Sequence, residues 1–341
     1  MYLGKMQDKE ITVSKKAPND SVLITGISGA GKTCRMNQME LNAVLSGKTV
    51  FILDTGQTHI SNQVYKPLAS EYENYANRIN LQKEGLALRF PCPAQNTDST
   101  LKIPLFLLNS IVDSITYPLR MGVLQSGALR KALIFAVNHQ DNYPDMITSV
   151  NEGLKEQDSK EAEAVRRNLW RLSDFHIFQK NGCEIEKGKI NILFLDTSDK
   201  ITKRITVELL LTIFWYCIQN QLWDINNVLL VFDEFQNILL KDGCMLWDIL
   251  REGRKFGVSL LMATQTLEVF PKNVESILNQ AAVRLYFLPS KSELRKCAKT
   301  IDPSNTEYWI NRLSHLKVGE SVAVGYTNVG AKEITRPIIL R

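Results

Sequence analysis

Short runs of consecutive apolar residues recur along the chain, and most of these runs end at polar or charged residues. Such runs are typical of strands that are buried on both faces of a parallel sheet. Segments with apolar residues at helical spacing separate them, so the pattern predicts an α/β fold with a mainly parallel sheet flanked by helices. The predicted strands are Ser21–Thr25, Lys48–Asp54, Ile190–Asp196, Val228–Phe232 and Val258–Gln265.

Residues 105–172 show mostly helical spacing, most clearly in Gly127–Val137 and Glu161–Leu172. We therefore predict a helical insertion between the second strand and the rest of the sheet. The second of these segments contains three arginines, which either bind phosphate or lie on a solvent-exposed face of the helix. These are Arg166, Arg167 and Arg171.

The remaining segments carry weaker patterns. The first 20 residues are predicted to be an irregular lead-in with a short strand at Ile11–Val13. Arg78–Leu81 and Leu86–Phe90 are candidates for a strand pair, and Pro91–Pro104 for a surface loop. The predicted organisation is a lead-in over 1–20 and one domain over 21–341 that contains the insertion at about 105–172.

Composition narrows the class of protein. The chain has 341 residues, 44% of them hydrophobic and 23% charged, as in globular proteins. Its net charge of +5 permits a polyanionic partner without requiring one. The six cysteines form no C-x-x-C pair, which favours reduced thiols in a cytoplasmic protein. No signal peptide is apparent, and the most apolar helix candidate, Leu209–Ile218, is about half as long as a membrane span.

The segment from Gly26 to Thr33, GISGAGKT, matches the phosphate-binding loop pattern G-x-x-x-x-G-K-[ST] between a predicted strand and helix. Glycines let the backbone curl so that N–H groups face one concavity at a helix N-terminus, which suits a phosphate chain. Lys32 adds a charge for the β- and γ-phosphates of ATP, and the Thr33 hydroxyl is a ligand for Mg²⁺. The predicted nucleotide-binding residues are Gly26, Ser28, Gly29, Ala30, Gly31, Lys32, Thr33 and Cys34.

An acidic pair follows the strand Val228–Phe232 directly, which is a Walker B pattern. Asp233 is predicted to hold Mg²⁺, and Glu234 to orient and deprotonate the attacking water. Gln265, at the tip of another strand, is either a sensor of the γ-phosphate and the water or an ordinary strand-end residue. Asp54 also ends a strand at the predicted ligand-binding edge, where it lies close to the nucleotide or serves as a turn or cap residue.

Basic residues end the helix after the acidic pair. A helix C-terminus favours cations for its own sake. Alternatively, an arginine there acts as a finger in the active site of a neighbouring subunit. We favour Arg254 for this role, with Arg251 as the second candidate.

Taken together, GISGAGKT, LDTGQ, FDEFQN, LREGRKFG and LLMATQ resemble the HerA/FtsK superfamily of P-loop motors, most closely HerA-type helicases and conjugative coupling and secretion ATPases. The resemblance covers roughly Ser21–Arg341 and implies a RecA-like sheet, a homohexameric ring with ATP between subunits, and DNA in the central channel. It also implies the roles given above for Lys32, Thr33, Asp233, Glu234, Gln265 and Arg254. No segment for a HerA-type N-terminal barrel precedes the loop, so we expect a motor core that relies on partner proteins.

The resulting hypothesis is an ATP-driven motor that translocates or unwinds DNA, most simply double-stranded DNA, beside a nuclease or other effector in defence or DNA processing. The alternative is an ATP-gated scaffold that regulates a partner with little translocation. Candidate DNA-contacting segments are Thr197–Arg204 and Phe270–Asn273. His59 lies near the predicted site, and its expected role is that of a turn or core histidine.

Overall fold

The structure, a computed structural model, describes residues 1–90, 102–173, 179–195, 199–223, 225, 227–237 and 245–341. Within them lie thirteen strands and eleven α-helices. The strands are β1 Tyr2–Met6, β2 Lys9–Val13, β3 Ser21–Thr25, β4 Thr49–Asp54, β5 Ala76–Asn80, β6 Ile190–Phe194, β7 Val228–Phe232, β8 Val258–Thr264, β9 Val283–Tyr286, β10 Ser321–Gly325, β11 Thr327–Val329, β12 Lys332–Ile334 and β13 Ile338–Leu340. The helices are α1 Lys32–Leu45, α2 Ala69–Tyr75, α3 Leu105–Thr116, α4 Val123–Asn138, α5 Met146–Lys155, α6 Lys160–Leu169, α7 Lys200–Gln219, α8 Met245–Glu252, α9 Lys272–Leu278, α10 Leu294–Ile301 and α11 Thr306–Ser314.

The main sheet of the described residues has nine strands in the order β13-β10-β9-β3-β8-β7-β4-β6-β5. Every pair from β9 to β5 is parallel, whereas β10 and β13 add antiparallel strands at one edge. The predicted α/β class with a mainly parallel, helix-flanked sheet is therefore confirmed. Strand β8 lies between β3, which leads into the glycine-rich loop, and β7, which leads into the acidic pair.

Strands β3, β4, β7 and β8 are buried along their whole length and mostly apolar, because helices or a second sheet cover both faces. Alternate residues of β3 illustrate this: Leu23 joins the core that contains α3, α4 and α7, whereas Val22 and Ile24 join the core that contains α1 and the N-terminal strands. Parallel pairing also aligns the carboxyl ends of the strands, with Thr25 opposite Thr264. The polar residues after β3, β4, β7 and β8 consequently meet at one edge of the sheet.

The predicted short strand at Ile11–Val13 is part of β2, but residues 2–6 also form a strand, so the first half of the lead-in is more regular than we expected. Strands β1 and β2 form an antiparallel hairpin whose turn residues, Gln7 and Asp8, both have positive φ angles. Strand β2 also pairs with β11, and β11 with β12, which gives a second sheet of four strands within the described residues. Residues near the two ends of the chain thus form one layer.

The predicted pairing of Arg78–Leu81 with Leu86–Phe90 was wrong. Strand β5 instead pairs in parallel with β6 and forms an edge of the main sheet, and Leu86 makes an isolated bridge to Cys183. The described elements between residues 105 and 172 are all helical, but they follow β5 rather than the second strand of the sheet. Most of the predicted surface loop at 91–104, together with Asp196, Thr197 and Ser198, lies outside the described residues.

Candidate functional site

The glycine-rich loop connects β3 to α1, as its sequence predicts. Gly31 precedes the helix with φ 99°, a left-handed conformation that favours glycine. A Cβ atom at this position would lie 2.7 Å from the backbone nitrogen of Gly319, which itself donates a hydrogen bond of 2.9 Å to the Ala30 carbonyl. The loop therefore takes its shape partly from the segment before β10. Ser28 and Gly29 are exposed at its tip, and Cys34 is half-buried in the first turn of α1.

Lys32 folds back across this loop. Its ammonium group donates to the carbonyls of Gly26 and Ile27 at 2.7 and 3.0 Å. Burial lowers the pKa of Lys32, while the nearby carboxylates of Glu234 and Asp233 oppose that shift. The structure thus places the lysine beside both predicted acidic residues, although about 200 residues separate them in sequence.

Thr33 and Asp233 provide the candidate metal site. The Thr33 hydroxyl lies 3.4 Å from Asp233 Oδ2. Burial raises the pKa of Asp233 and Glu234 adds to the rise, while His59 and a hydrogen bond from Thr58 oppose it. A hydroxyl and a carboxylate are the hard oxygen donors that Mg²⁺ prefers, and Mg²⁺ commonly takes its other ligands from phosphate and water. The two residues fit this ion, although the described residues contain no group of three acidic, histidine or cysteine side chains around a metal position.

Glu234 has an unusual backbone conformation, with φ 54°. Its N–H donates to Asp233 Oδ1 at 2.9 Å, which ties the two acidic residues together. The side-chain amide of Gln265 donates to both Glu234 carboxylate oxygens, at 2.9 and 3.0 Å, and Gln236 donates to one of them. The two glutamines come from different strand ends, so the sheet order brings them to the same carboxylate. Non-glycine residues in such conformations often cluster at active sites.

Both oxygens of Asp54 are directed into the loop that follows β4. They accept from the backbone N–H groups of Gly56, Thr58 and His59 at 2.9–3.1 Å. These hydrogen bonds and His59 lower the pKa of Asp54 against the effect of burial. Asp54 thus has the turn role that we considered for it. The loop that it holds lies beside Glu234, since a Cβ atom on Gly56 would lie 3.9 Å from the Glu234 side chain.

His59 is fully buried in a network that the sequence did not reveal. Its Nε2 lies 3.2 Å from Oε1 of Glu40, and its Nδ1 lies 3.7 Å from Oδ2 of Asp54. Glu40 also accepts from the Tyr72 hydroxyl at 2.7 Å and from the Asn37 amide at 3.3 Å. Despite its burial, the two carboxylates raise the pKa of His59 to about 10. The network joins α1 to the loop beside Asp233.

The candidate arginine fingers do not approach this site within the same chain. Arg254 is exposed just before β8, at the amino end of a strand whose carboxyl end lies at the site. Its guanidinium donates to the backbone carbonyls of Ala17 and, at 3.3 Å, Lys15. Arg251 is exposed one turn earlier. Arg254 therefore contacts the N-terminal segment of its own chain rather than the candidate nucleotide site.

Several of the other basic residues that the sequence suggested as phosphate or DNA contacts interact with groups of the same chain. Arg166 and Arg167 form ion pairs with Glu163 on their own helix, at 2.9 and 3.2 Å, as expected for a solvated face. Arg171 lies 3.8 Å from Asp199. Lys203, from the candidate segment Thr197–Arg204, donates to the Thr55 carbonyl at 2.6 Å and so reaches the loop that packs on Glu234.

A cavity of about 410 Å³ adjoins the glycine-rich loop. Its lining comes from the first turns of α1 and from the segment before β10, and Arg341 at the chain's last position contributes as well. Sequence reasoning found only Gly31 and Cys34 of this lining, because the other residues lie far apart in the chain. The other lining residues include Arg35, Gln38, Tyr65, Val318, Glu320 and Arg341.

No family model matches the chain. It is 24% identical over 342 residues to the DNA double-strand break repair helicase HerA of Sulfurisphaera tokodaii, an alignment that covers 95% of this chain and 66% of that protein. Its fold is similar to that of VirB4 of Thermoanaerobacter pseudethanolicus, with a TM-score of 0.72 and 18% identity over 100% of this chain and 95% of that one. The chain is thus similar in sequence to a HerA helicase and similar in fold to VirB4.

A second solved structure extends the comparison. The plasmid coupling protein TrwB, in complex with a non-hydrolysable ATP analogue, has a TM-score of 0.62 and 13% identity over 99% of this chain and 90% of that one. The resemblance inferred from the sequence motifs, and the RecA-like P-loop fold it implies, are therefore confirmed. The chain spans about two thirds of the length of its HerA relative. Among the described residues, none of the helices combines the length and apolar character needed to cross a bilayer.

Proposed function

We propose that this protein is an ATP-hydrolysing subunit of a ring-shaped motor that translocates or unwinds DNA. The observation that carries the proposal is the convergence of Lys32, Thr33, Asp233, Glu234 and Gln265 at one sheet edge. The HerA relative is a DNA repair helicase by name. TrwB structures contain an ATP analogue or ADP with Mg²⁺, which supports the same nucleotide and metal here.

In the proposed mechanism, the backbone of the loop and Lys32 bind the β- and γ-phosphates of ATP. Thr33 and Asp233 would hold Mg²⁺, which when bound neutralises charge that develops on the phosphates. Glu234 takes a proton from water as the water oxygen bonds to the γ-phosphorus. The bond from that phosphorus to the bridging oxygen breaks, which releases ADP and inorganic phosphate. Gln265 contacts the water or the γ-phosphate from the adjacent strand tip.

The proposal extends to assembly and location. Arg254 supports a homohexameric ring, because it is exposed and remote from its own site, as an arginine that completes a neighbour's site would be. We place double-stranded DNA in the channel, where Lys and Arg side chains meet phosphates without a fixed spacing. A nuclease or other effector would act beside the ring in defence or DNA processing. Four free cysteines among the described residues support a reducing cytoplasmic location.

The test is the ATPase rate with and without double-stranded DNA, for wild type, Lys32→Ala and Glu234→Gln, together with the solution mass in ATP. DNA-stimulated turnover that both substitutions abolish, in a particle of six subunits, is the expected result. A ring with Lys32-dependent ATP binding and no DNA stimulation would contradict the motor and favour the ATP-gated scaffold. Activation of an effector by Glu234→Gln, which should bind ATP without hydrolysing it, would point the same way.

A further inference from the structure

Gln236 lies next to the proposed site, and the mechanism above does not use it. It lies two residues after Glu234, in a 3-10 turn, and is half-buried. Its side-chain nitrogen donates to Glu234 Oε2, and its side-chain oxygen accepts a hydrogen bond of 2.8 Å from the Thr264 hydroxyl. Thr264 is fully buried at the end of β8. One amide thus connects the tips of two adjacent strands.

The contacts determine which way this amide faces. The Thr264 hydroxyl has one hydrogen, which two oxygens share, those of the Gln236 amide and the Thr266 carbonyl at 2.9 Å. With the amide reversed, Gln236 Oε1 would face Glu234 Oε2, and two acceptors would meet without a proton between them. The N–H group therefore faces Glu234, and Thr264 anchors the other end of the amide.

Gln265 cannot supply the same restraint throughout the reaction. It is exposed, and its amide donates to both Glu234 oxygens. If it turns to the γ-phosphate or the water, it gives up these bonds. Glu234, whose own backbone lies in a left-handed conformation, would then depend on Gln236 for its orientation.

We propose that Gln236, anchored by Thr264, is a positioning residue that holds the Glu234 carboxylate in line for proton transfer while Gln265 engages the phosphate. The inference rests on the proposed ATPase function. The role proposed for Gln236, the glutamine of the FDEFQN segment, differs from binding the metal or the phosphates. A misplacement of about 1 Å at a reacting group can cost on the order of 100-fold in rate, so such a residue affects kcat rather than nucleotide affinity.

The experiment measures kcat and KM for ATP in four single variants and one double variant of the full chain. Gln236→Met keeps the side-chain length and removes the donor, and we expect kcat to fall about 10- to 100-fold with KM changed less than about twofold. Thr264→Val removes the anchoring hydroxyl at constant shape and should lower kcat less, whereas Thr264→Ser should restore most of it. The double variant Gln236→Met/Thr264→Val should be no slower than Gln236→Met, because Thr264 acts only through Gln236.

Lys32→Ala and thermal melting curves complete the design. Wild-type turnover that Lys32→Ala abolishes, with Gln236→Met as fast as wild type, would overturn the positioning role and leave the ATPase proposal standing. Additive losses in the double variant would also overturn it, since they would give Thr264 a separate structural role. Absence of Lys32-dependent turnover in wild type would overturn both proposals.

Discussion

The imidazole of His59 lies 3.2 Å from the carboxylate of Glu40, and both side chains are completely buried. Glu40 belongs to α1, the helix that begins in the phosphate-binding loop, and His59 ends the loop that Asp54 holds after β4. The pair joins the two segments that flank Asp233. Burial alone would lower the pKa of His59 and keep the imidazole neutral. Glu40 and Asp54 raise that pKa, and their combined effect is larger than the effect of burial.

This pair predicts a loss of stability at alkaline pH. The folded pKa of His59, about 10, lies above the ordinary value of 6.5, so the folded state binds the proton more tightly. The stabilisation is fully present below about pH 6.5 and declines as the pH rises towards 10. Urea unfolding between pH 6 and 10 should show this decline in wild type and a much shallower one in His59→Gln.

Removing the partner carboxylate gives a second measurement on the same network. Glu40→Ala should lower the free energy of unfolding by about 3–5 kcal/mol at pH 7, because it leaves His59 without one of its two carboxylates in the interior. Tyr72→Phe removes only the hydroxyl that donates to Glu40 and is the control, with an expected loss of about 1 kcal/mol. Equal losses in the two variants would argue against a charged pair.

Two glycines of the phosphate-binding loop predict different outcomes for the same substitution. Gly31 and Gly29 both have positive φ, but a Cβ atom would meet the Gly319 backbone at Gly31 and open space at Gly29. Gly29→Ala should cost about 1–2 kcal/mol through backbone conformation alone. Gly31→Ala should cost more and abolish ATP binding, which calorimetry of both variants would measure. Equal affinity for ATP in the two variants would contradict the role given to the Gly319 contact.

Sequence patterns predicted the central strands and the Walker residues because each of these features is encoded by residues that are adjacent in the chain. Five apolar residues followed directly by Asp233 and Glu234 indicate, within one short segment, the strand, the position where it ends and the candidate catalytic residues. The first hairpin was missed because its stability comes from pairing with Thr327–Val329 at the other end of the chain. Its turn, with Gln7 and Asp8 at positive φ, has the geometry of a two-residue hairpin without the usual Asn-Gly or Asp-Gly signature.

Several contacts around the acidic pair also join residues that are distant in sequence, and sequence patterns predicted none of these. Glu40 and His59 are 19 residues apart, Thr264 and Gln236 are 28 apart, and Lys203 and Thr55 are 148 apart. None of these separations corresponds to a helical or strand period, so no pattern marks the pairs. They meet because the order of the strands brings distant loops to one edge. His59 was expected to be a turn or core histidine, and its partners became visible only in the fold.

The hydrogen bond of Lys203 predicts that α7 is coupled to the loop that follows β4. Its hydrogen bond to Thr55 connects a candidate DNA-contacting segment to the loop beside Glu234. We expect Lys203→Met to lower the stimulation of ATP turnover by DNA several-fold while basal turnover changes little. Lys200→Met is the matched control, because it removes the same charge from an exposed position on the same helix. Equal loss of stimulation in both variants would indicate a general charge effect on DNA binding instead.

Arg254 provides the most direct test of a ring with shared sites. In the isolated chain its guanidinium contacts the carbonyls of Lys15 and Ala17, far from Lys32. If it completes a neighbour's site, Arg254→Ala should bind ATP normally and hydrolyse it at least about 100-fold more slowly. Arg251→Ala, one turn away on the same surface, is the control and should lose much less activity.

Mixing two inactive variants then separates action between subunits from action within one. Lys32→Ala lacks the phosphate-binding lysine but retains Arg254, and Arg254→Ala has the reverse combination. In mixed rings, some interfaces pair an intact loop with an intact arginine, so ATP turnover should reappear in the mixture and scale with the product of the two fractions. A mixture as inactive as either variant alone, with mixed rings shown by mass, would rule out a finger at Arg254. In that case its contacts with Lys15 and Ala17 would remain as its role, that of fastening the N-terminal segment beside the amino end of β8.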